Sequence, residues 1–562
     1  MHRLFFFFLI LIPSETFAQD SIVTTRVYHK FWIQFSDKNN NPFSVERPYE
    51  FLSQKSIDRR SRQNISIQES DLPVTPSYVS SVKNTGAKIL IKSKWMNGVC
   101  VETTDSAILE QIDSLPFVSF IEAVAAYSRY DTIDSSGIES YPMISSPVLT
   151  SNLAFDEELY GNGFNQINMM NGEYLHELGF RGDGMTVAVL DAGFFRVNTI
   201  SAFDSLWLND RILGYKDFVG GQDDSVFIES THGMQVLSTM AANLPGELVG
   251  TAPAAHYWLI RTEDARSEFR IEEYNWAAGA EFADSAGVDV INSSLGYSTF
   301  NDTAMNYSYA TLDGKTAVVT HAADKAVETG MIVVTSAGNN GNAPWKYIST
   351  PADANNVIAV GAVDPQENYA SFSSQGPSSD GRVKPDVAAQ GKDAVFVSRS
   401  GSLTTGNGTS FASPITAGLV TCFWQAFYDK PNMEIIQQIL QSASRYTNPD
   451  ELYGNGIPDF RLAFLKMQEK EGSPYFQEML PVAYPNPFDE QLHVMLFADD
   501  EGKYSVEIFD ALGRIISRQE QYLGDLRFHD FEFKNLDVLQ QGVYFVRTSG
   551  KGRTDVMRVV KF

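Results

Sequence analysis

Four short apolar runs, at residues 185–190, 287–292, 331–335 and 356–360, punctuate the middle of this chain, each rich in Val, Ile and Ala. Runs this short and this β-branched fit strands buried on both faces. The segments between them, 232–243, 272–285 and 316–328, repeat their apolar residues with helical spacing. Strand and helix in alternation imply an α/β domain, a parallel sheet flanked by helices, over residues 165–471. In such sheets the chemistry gathers beyond the carboxyl ends of the strands. Asp191, Ser294 and Asn339 all follow strand ends in this reading.

A second feature bears on chemistry. Gly408-Thr409-Ser410-Phe411-Ala412-Ser413-Pro414 runs straight into an apolar segment with helical spacing. Ser410 therefore falls at a helix N-terminus, where unpaired N–H groups and the helix dipole favour developing negative charge. A serine before a helix is most often a simple N-cap. As a nucleophile it needs a base to take its proton and a third group to orient that base. His232, in Ser230-Thr231-His232-Gly233, and Asp191, closing the first apolar run, supply those residue types. Alone, each has an ordinary structural reading: the aspartate as a turn former, the histidine as a core residue.

Taken together, the three segments resemble the subtilisin-like serine protease (subtilase) family. Its members carry Asp, His and Ser in this chain order, with the serine in a Gly-Thr-Ser-x-Ala-x-Pro turn. An α/β-hydrolase runs Ser, acid, His, and a chymotrypsin-like enzyme His, Asp, Ser. The resemblance implies a subtilisin-like fold and a triad of Asp191, His232 and Ser410. It implies Asn339, in Ser336-Ala337-Gly338-Asn339-Asn340-Gly341, as the oxyanion-hole donor, with Asn340 its competitor on sequence alone. It implies Ser294-Leu295-Gly296 as a substrate-binding strand that pairs with an extended peptide, Ala337-Gly338 as the facing wall of the S1 pocket, and a cis-proline at Thr350-Pro351. Two positions depart from the family: Ala192 stands where a Thr or Ser usually follows the aspartate, and Met234 where a Thr usually lies two residues after the histidine.

Flanking this domain, residues 23–124 read as a small α+β unit, with strands at 28–35, 87–92, 98–103 and 117–124 and helices at 76–84 and 106–115. Its pattern and position resemble the inhibitory prodomain of subtilases, so a zymogen is expected. Residues 125–164, with Asp-Ser-Ser-Gly and Gly-Asn-Gly clusters, read as a long linker. From 474 to 562 the pattern becomes short strands separated by turns, an all-β sandwich. Its opening, Ala483-Tyr484-Pro485-Asn486-Pro487-Phe488, the turn Asp510-Ala511-Leu512-Gly513-Arg514 and the ending Val559-Val560-Lys561-Phe562 resemble the C-terminal sorting domain of the type IX secretion system. That resemblance implies a Bacteroidetes-type bacterium, export through the periplasm and across the outer membrane to the cell surface or medium, and the secretion machinery as a partner.

Bulk properties set limits on partners. The 562 residues carry a formal net charge of −26 without a single acidic block, which argues against nucleic acid or an anionic membrane as partner. Residues 1–18 read as a signal peptide: His2 and Arg3, then the apolar 4–12, then Thr16-Phe17-Ala18. No segment is long enough for a transmembrane anchor. Cys100 and Cys422 fall in different domains, so no disulfide is expected between them. Catalysis of this kind needs no cofactor and no metal. Structural calcium, which many subtilases bind, stays open, since no contiguous EF-hand loop is present and Asp223-Asp224 is equally a solvated loop. The expected function is a secreted serine endopeptidase acting on protein or peptide substrates through an acyl-enzyme. The alternatives are a catalytically silent subtilase fold used as a surface binding module, which loss of Asp191, His232, Ser410 or Asn339 would favour, and an esterase using the same triad.

Overall fold

Successive side chains of strand β1 (Val27–Phe35) point to opposite faces, and the N-terminal domain is built on that alternation. In the computed structural model, which describes residues 27–127, 155–471, 481–498, 501–523, 527–550 and 552–562, β1 is joined by β2 (Lys88–Ser93), β3 (Gly98–Glu102) and β4 (Val118–Tyr127). The antiparallel sheet has the order β2-β3-β1-β4. Ile33, Phe35, Val99 and Val101 face one way and bury Val82 of helix α2 (Pro76–Asn84) and Ile112 of α3 (Ser106–Asp113). Trp32, Cys100 and Val124 face the other way, into the central domain. A further helix, α1 (Gln54–Arg62), precedes these.

The central domain carries the expected parallel sheet. In chain order its elements are β5 (Thr186–Asp191), β6 (Ile212–Asp217), α4 (His232–Ala241), β7 (His256–Arg261), α5 (Ile271–Ala286), β8 (Val290–Ser293), α6 (Val318–Glu328), β9 (Ile332–Ser336), β10 (Ile358–Val363) and β11 (Val387–Gln390). A hairpin of β12 (Ala394–Val397) and β13 (Leu403–Gly406) follows, then α7 (Thr409–Ala426), α8 (Asn432–Ser442) and α9 (Phe460–Glu471). The seven strands run β11-β10-β9-β8-β5-β7-β6, all in parallel pairs. Every residue of β5, β8, β9 and β10 is buried, the reason these strands read as continuous apolar runs rather than alternating ones. The register aligns Asp191 with Arg261 and Ser293 with Leu190 and Thr335, so the strand ends form one edge.

The C-terminal domain is a sandwich of two antiparallel sheets. Strands β14 (Val482–Tyr484), β15 (Leu492–Ala498) and β18 (Arg527–Phe533) form one; β16 (Gly502–Asp510), β17 (Ile515–Leu523), β19 (Gly542–Gly550) and β20 (Arg553–Lys561) form the other, in the order β17-β16-β19-β20. Val494, Phe531, Val506, Ile508 and Val546 from the two inner faces share one core with Phe488.

The interface between the N-terminal and central domains is unusually charged. Trp32 stacks on Tyr274 of α5 at 4.2 Å between ring centroids, in an apolar cluster with Ile91, Cys100, Ile271 and Ala278, and a charged cluster centres on Asp284 of the same helix. Arg59 and Arg60 of α1 approach its carboxylate to 2.6 and 2.9 Å, and Lys94 does so at 2.9 Å. Both arginines and Asp284 are buried. Glu281, one turn earlier, accepts the main-chain N–H of Lys94 and Trp95 at 2.7 and 2.9 Å. Helix α5 ends at Gly287, whose φ of +83° is the left-handed cap; a Cβ there would lie 2.6 Å from Lys55.

Two details differ from the sequence reading. The connector is shorter than 125–164: β4 continues to Tyr127, paired with Val27, and helix Phe155–Tyr160 places Tyr160 in the core of the central domain. Residues 1–18 and the middle of the connector lie outside the described residues. Helix α1 was not expected at all. Cys100 and Cys422 are buried and unpaired, as expected, and no helix among the described residues is long and apolar enough to cross a membrane.

Candidate active site

Asp191 is the last residue of β5 and is fully buried. Its Oδ1 lies 2.8 Å from His232 Nδ1 and also accepts the Ala192 N–H at 2.7 Å. Its main-chain oxygen accepts the N–H of Thr262, just past β7. His232 opens α4, and Ser230 Oγ accepts its N–H at 3.2 Å. Nδ1 is turned to the carboxylate, and the side chain is 30% exposed. Gly233 makes the approach possible: a Cβ there would stand 2.5 Å from Gly193 O and 2.8 Å from Asp191 Cβ. Met234, the departure noted above, is buried in the core.

Ser410 lies in the first turn of α7, 5% exposed, and α7 packs against α4. Proline has no N–H, so Pro414 leaves the carbonyl four residues earlier, that of Ser410, without its helical donor. Ser294 supplies one: its hydroxyl donates to Ser410 O at 2.9 Å. Ser413 in turn donates to Asn292 Oδ1 at 2.9 Å. The end of β8 is thereby bolted to the start of α7. Leu295 and Gly296 follow directly, and their main-chain groups take no partner among the described residues, whereas Tyr297 exchanges both of its main-chain bonds with Thr350, at 2.9 and 3.1 Å. One edge of this strand is thus paired and the residues before it are open. The Thr350-Pro351 bond is cis.

The turn after β9 completes the arrangement. Ala337 is fully buried and bonded to Val360. Gly338 has φ of +107°, and a Cβ there would lie 2.9 Å from the hydroxyls of Ser349 and Ser374, so both conformation and space call for glycine. Asn339 is exposed, and its Oδ1 accepts the N–H and the hydroxyl of Thr409 at 2.8 and 3.0 Å. Anchored through its oxygen, the amide keeps its Nδ2 beside Gly408, 3.8 Å from where a Cβ there would stand. Asn340, the competing residue, instead bonds through its main chain to Ser374.

Two features here escaped the sequence reading. Arg261 ends β7 fully desolvated, with Nε bonded to Ala192 O at 3.2 Å and a guanidinium nitrogen 3.0 Å from Asp217; an arginine closing the run His256–Arg261 was its only signal. Glu263, Glu268 and Glu272 converge beyond it, from a segment without regular spacing. Asp223 is no free loop carboxylate: it accepts from Lys216 at 2.9 Å and from Asp217 N at 3.2 Å.

Comparison with known proteins assigns this architecture. Residues 182–456 match the subtilase family, residues 30–136 a peptidase S8 propeptide domain of Bacteroidota, and residues 482–561 a secretion system C-terminal sorting domain. A subtilisin of Bacillus pumilus is 30% identical over 300 residues, covering 53% of this chain and 97% of the relative. Subtilisin E of Bacillus subtilis (strain 168) is 28% identical over 398 residues, 69% of this chain and 88% of the relative. A thermostable alkaline protease of Halalkalibacterium halodurans is 29% identical over 292 residues, 52% of this chain and 70% of the relative. With a relative matched at that identity over nearly its whole length, and with a propeptide on one side and a sorting domain on the other, the chain belongs to the subtilase family.

Proposed function

We propose that this protein is a secreted serine endopeptidase, made as a zymogen, exported by type IX secretion and cleaving protein substrates through an acyl-enzyme on Ser410. The observation that carries the reading is the 2.8 Å contact between Asp191 Oδ1 and His232 Nδ1, at the same sheet edge as a serine in the first turn of a helix. Ser410 Oγ attacks the scissile carbonyl carbon while His232 Nε2 takes its proton. Asp191 holds the imidazole in the tautomer with the proton on Nδ1 and stabilises the imidazolium that forms. The oxyanion is received by Asn339 Nδ2 and the Ser410 N–H. His232 then protonates the leaving amine, and a water molecule deprotonated by the same imidazole hydrolyses the ester. The open main chain of Leu295 and Gly296 supports an extended peptide substrate, held by backbone pairing more than by side-chain selection. On this reading Asn339→Ala lowers turnover by about a hundred- to a thousandfold, the range measured for the corresponding donor of a subtilisin.

The test is the intact mass and N-terminal sequence of the secreted protein, wild type beside Ser410→Ala, with fluorophosphonate labelling of both. Cleavage between the N-terminal and central domains in the wild type alone, with labelling of the wild type alone, is the expected result. No labelling and no peptide hydrolysis by a correctly folded wild type would overturn the reading in favour of a silent binding module.

A further inference from the structure

The segment that leaves β7 gathers three carboxylates that no cation among the described residues answers. Glu263, Glu268 and Glu272 each offer an oxygen, and these oxygens lie within 4.8 Å of one another. Glu272 is 1% exposed and Glu263 7%; Glu268 is half-buried and marks the open side. Glu272 accepts the main-chain N–H of Asp264 and Phe269 at 3.2 and 2.9 Å, which fixes its orientation. Glu263 Oε2 accepts the Tyr297 hydroxyl at 2.8 Å, while its Oε1 is buried and meets only the neighbouring Glu272 carboxyl, with no N–H, hydroxyl or cationic donor among the described residues. The nearest buried guanidinium, Arg261, is engaged by Asp217, Glu229 and Asp264. The charged groups facing the cluster are further carboxylates: Asp191 and Asp264 beside Glu263, and Glu273 beside Glu268.

An orphaned carboxylate oxygen with two neighbouring carboxylates and no counter-charge is an all-oxygen donor set, the kind hard cations take. Calcium binds oxygen at about 2.3–2.6 Å in flexible geometry, so three oxygens within 4.8 Å of one another can share one ion. We propose that Glu263, Glu268 and Glu272 form a binding site for a divalent cation of the calcium class, which ties the segment after β7, through Glu263, to Tyr297 beside the peptide-pairing strand. The ion neutralises charge that burial otherwise leaves unpaired and stiffens both segments at once. The site is independent of turnover, so it is tested in a protein that cannot turn over.

The experiment uses the full chain with Ser410→Ala, stripped of metal with a chelator, and titrates calcium chloride by calorimetry. The titration is repeated with Glu263→Gln and with Glu268→Gln added, and far-UV circular dichroism checks that each variant is folded. The half-buried Glu268 provides a variant that does not disturb the core. One binding equivalent is expected to vanish, or to weaken at least about tenfold, in both variants; even an outer-shell partner of a metal ligand is worth that much. Terbium luminescence excited through tyrosine should fall in parallel, because the Tyr297 hydroxyl touches a proposed ligand. Equal stoichiometry and affinity in the parent and both variants, or no binding by the parent, would overturn the site and leave a cluster that holds protons. Retention of Lys- or Arg-containing peptides by the parent, lost in Glu263→Gln without any cation binding, would overturn it too, in favour of a subsite for basic side chains.

Discussion

Asp191 engages His232 through a single oxygen. Oδ1 lies 2.8 Å from Nδ1 and 2.7 Å from the Ala192 nitrogen, while Oδ2 is buried with no hydrogen-bond partner. The neighbouring residue is an alanine where the family usually offers a hydroxyl. Ala192 brings no side-chain donor to that acceptor.

Ala192→Ser should restore that donor. A buried acceptor that gains a hydrogen bond stabilises the fold by about 1 kcal/mol, read as a rise in the urea midpoint with the slope unchanged. Fluorophosphonate labelling of Ser410 should be as fast as before or faster, since the carboxylate is held more firmly. A lower midpoint would show that Oδ2 sits against atoms too close to admit a hydroxyl.

Gly233→Ala tests the approach of α4 to β5. The new Cβ would lie 2.5 Å from Gly193 O and 3.0 Å from Asp191 Cγ, so the helix start must shift and carry His232 with it. A displacement near 1 Å costs about a hundredfold in rate. The expected signature is a fall in peptide hydrolysis of that order, in kcat rather than KM, with the protein still folded by circular dichroism. Unchanged kcat would mean that the His232 position tolerates the shift.

Acid stability should depend on His176, far from the cleft. It is buried between Tyr160 OH, 2.9 Å from Nδ1, and Thr251 O, 3.0 Å from Nε2, an environment that suits the neutral ring. Burial lowers its pKa to about 4, against about 6.5 in an unfolded chain. The unfolded state therefore binds a proton that the folded state refuses, so this contribution is whole above pH 6.5 and lost as pH falls from 6.5 toward 4. His176→Gln should flatten the fall in urea midpoint across that window. An unchanged pH profile would remove His176 from the account.

Much of this was legible before any coordinates. Strands β5, β8, β9 and β10 announce themselves because both of their faces are buried, and the residues at their ends fall on one edge because parallel strands put them there. The helix Gln54–Arg62 was not legible, for a definite reason. Its sequence is QKSIDRRSR, and its buried residues are Ser56, Arg59 and Arg60. Apolar periodicity cannot find a helix whose inner face is cationic and is satisfied by a carboxylate more than two hundred positions away. The Glu263, Glu268 and Glu272 cluster was hidden similarly: the three straddle a loop and the start of α5, so no single period relates them. Asn339 was legible ahead of Asn340 because it directly follows Ala-Gly; its bonds to Thr409 are what the fold adds.

The same buried network makes a prediction of its own. Burial alone would raise the Asp284 carboxyl, yet Lys94, Arg60 and Arg59 together hold it well below the ordinary carboxylate range. A depressed carboxylate stabilises at every pH above its unfolded value, near 3.9, and loses that contribution only as pH falls through the lower folded value. Mild acid, from pH 7 to 4.5, should not loosen the two domains through this residue. Asp284→Ala, by contrast, strands Arg59 without its anion and should cost about 3–5 kcal/mol in the full chain carrying Ser410→Ala. The central domain expressed without residues 1–127 should lose far less, and equal losses in both would place the role of Asp284 inside its own domain.

The charges gathered around Asp284 are also divided by ownership. Arg59, Arg60 and Lys94 belong to the N-terminal partner, Asp284 and Glu281 to the helix it covers. Once cut apart, neither side of this cluster is complete: Arg59 and Lys94 lose their anion, and Asp284 is left bare on α5. Two such fragments in solution draw each other back from a distance, at a rate that climbs as ionic strength drops. A severed N-terminal domain would thus be recaptured again and again in dilute salt, and its final loss would fall to whatever destroys it while it is away.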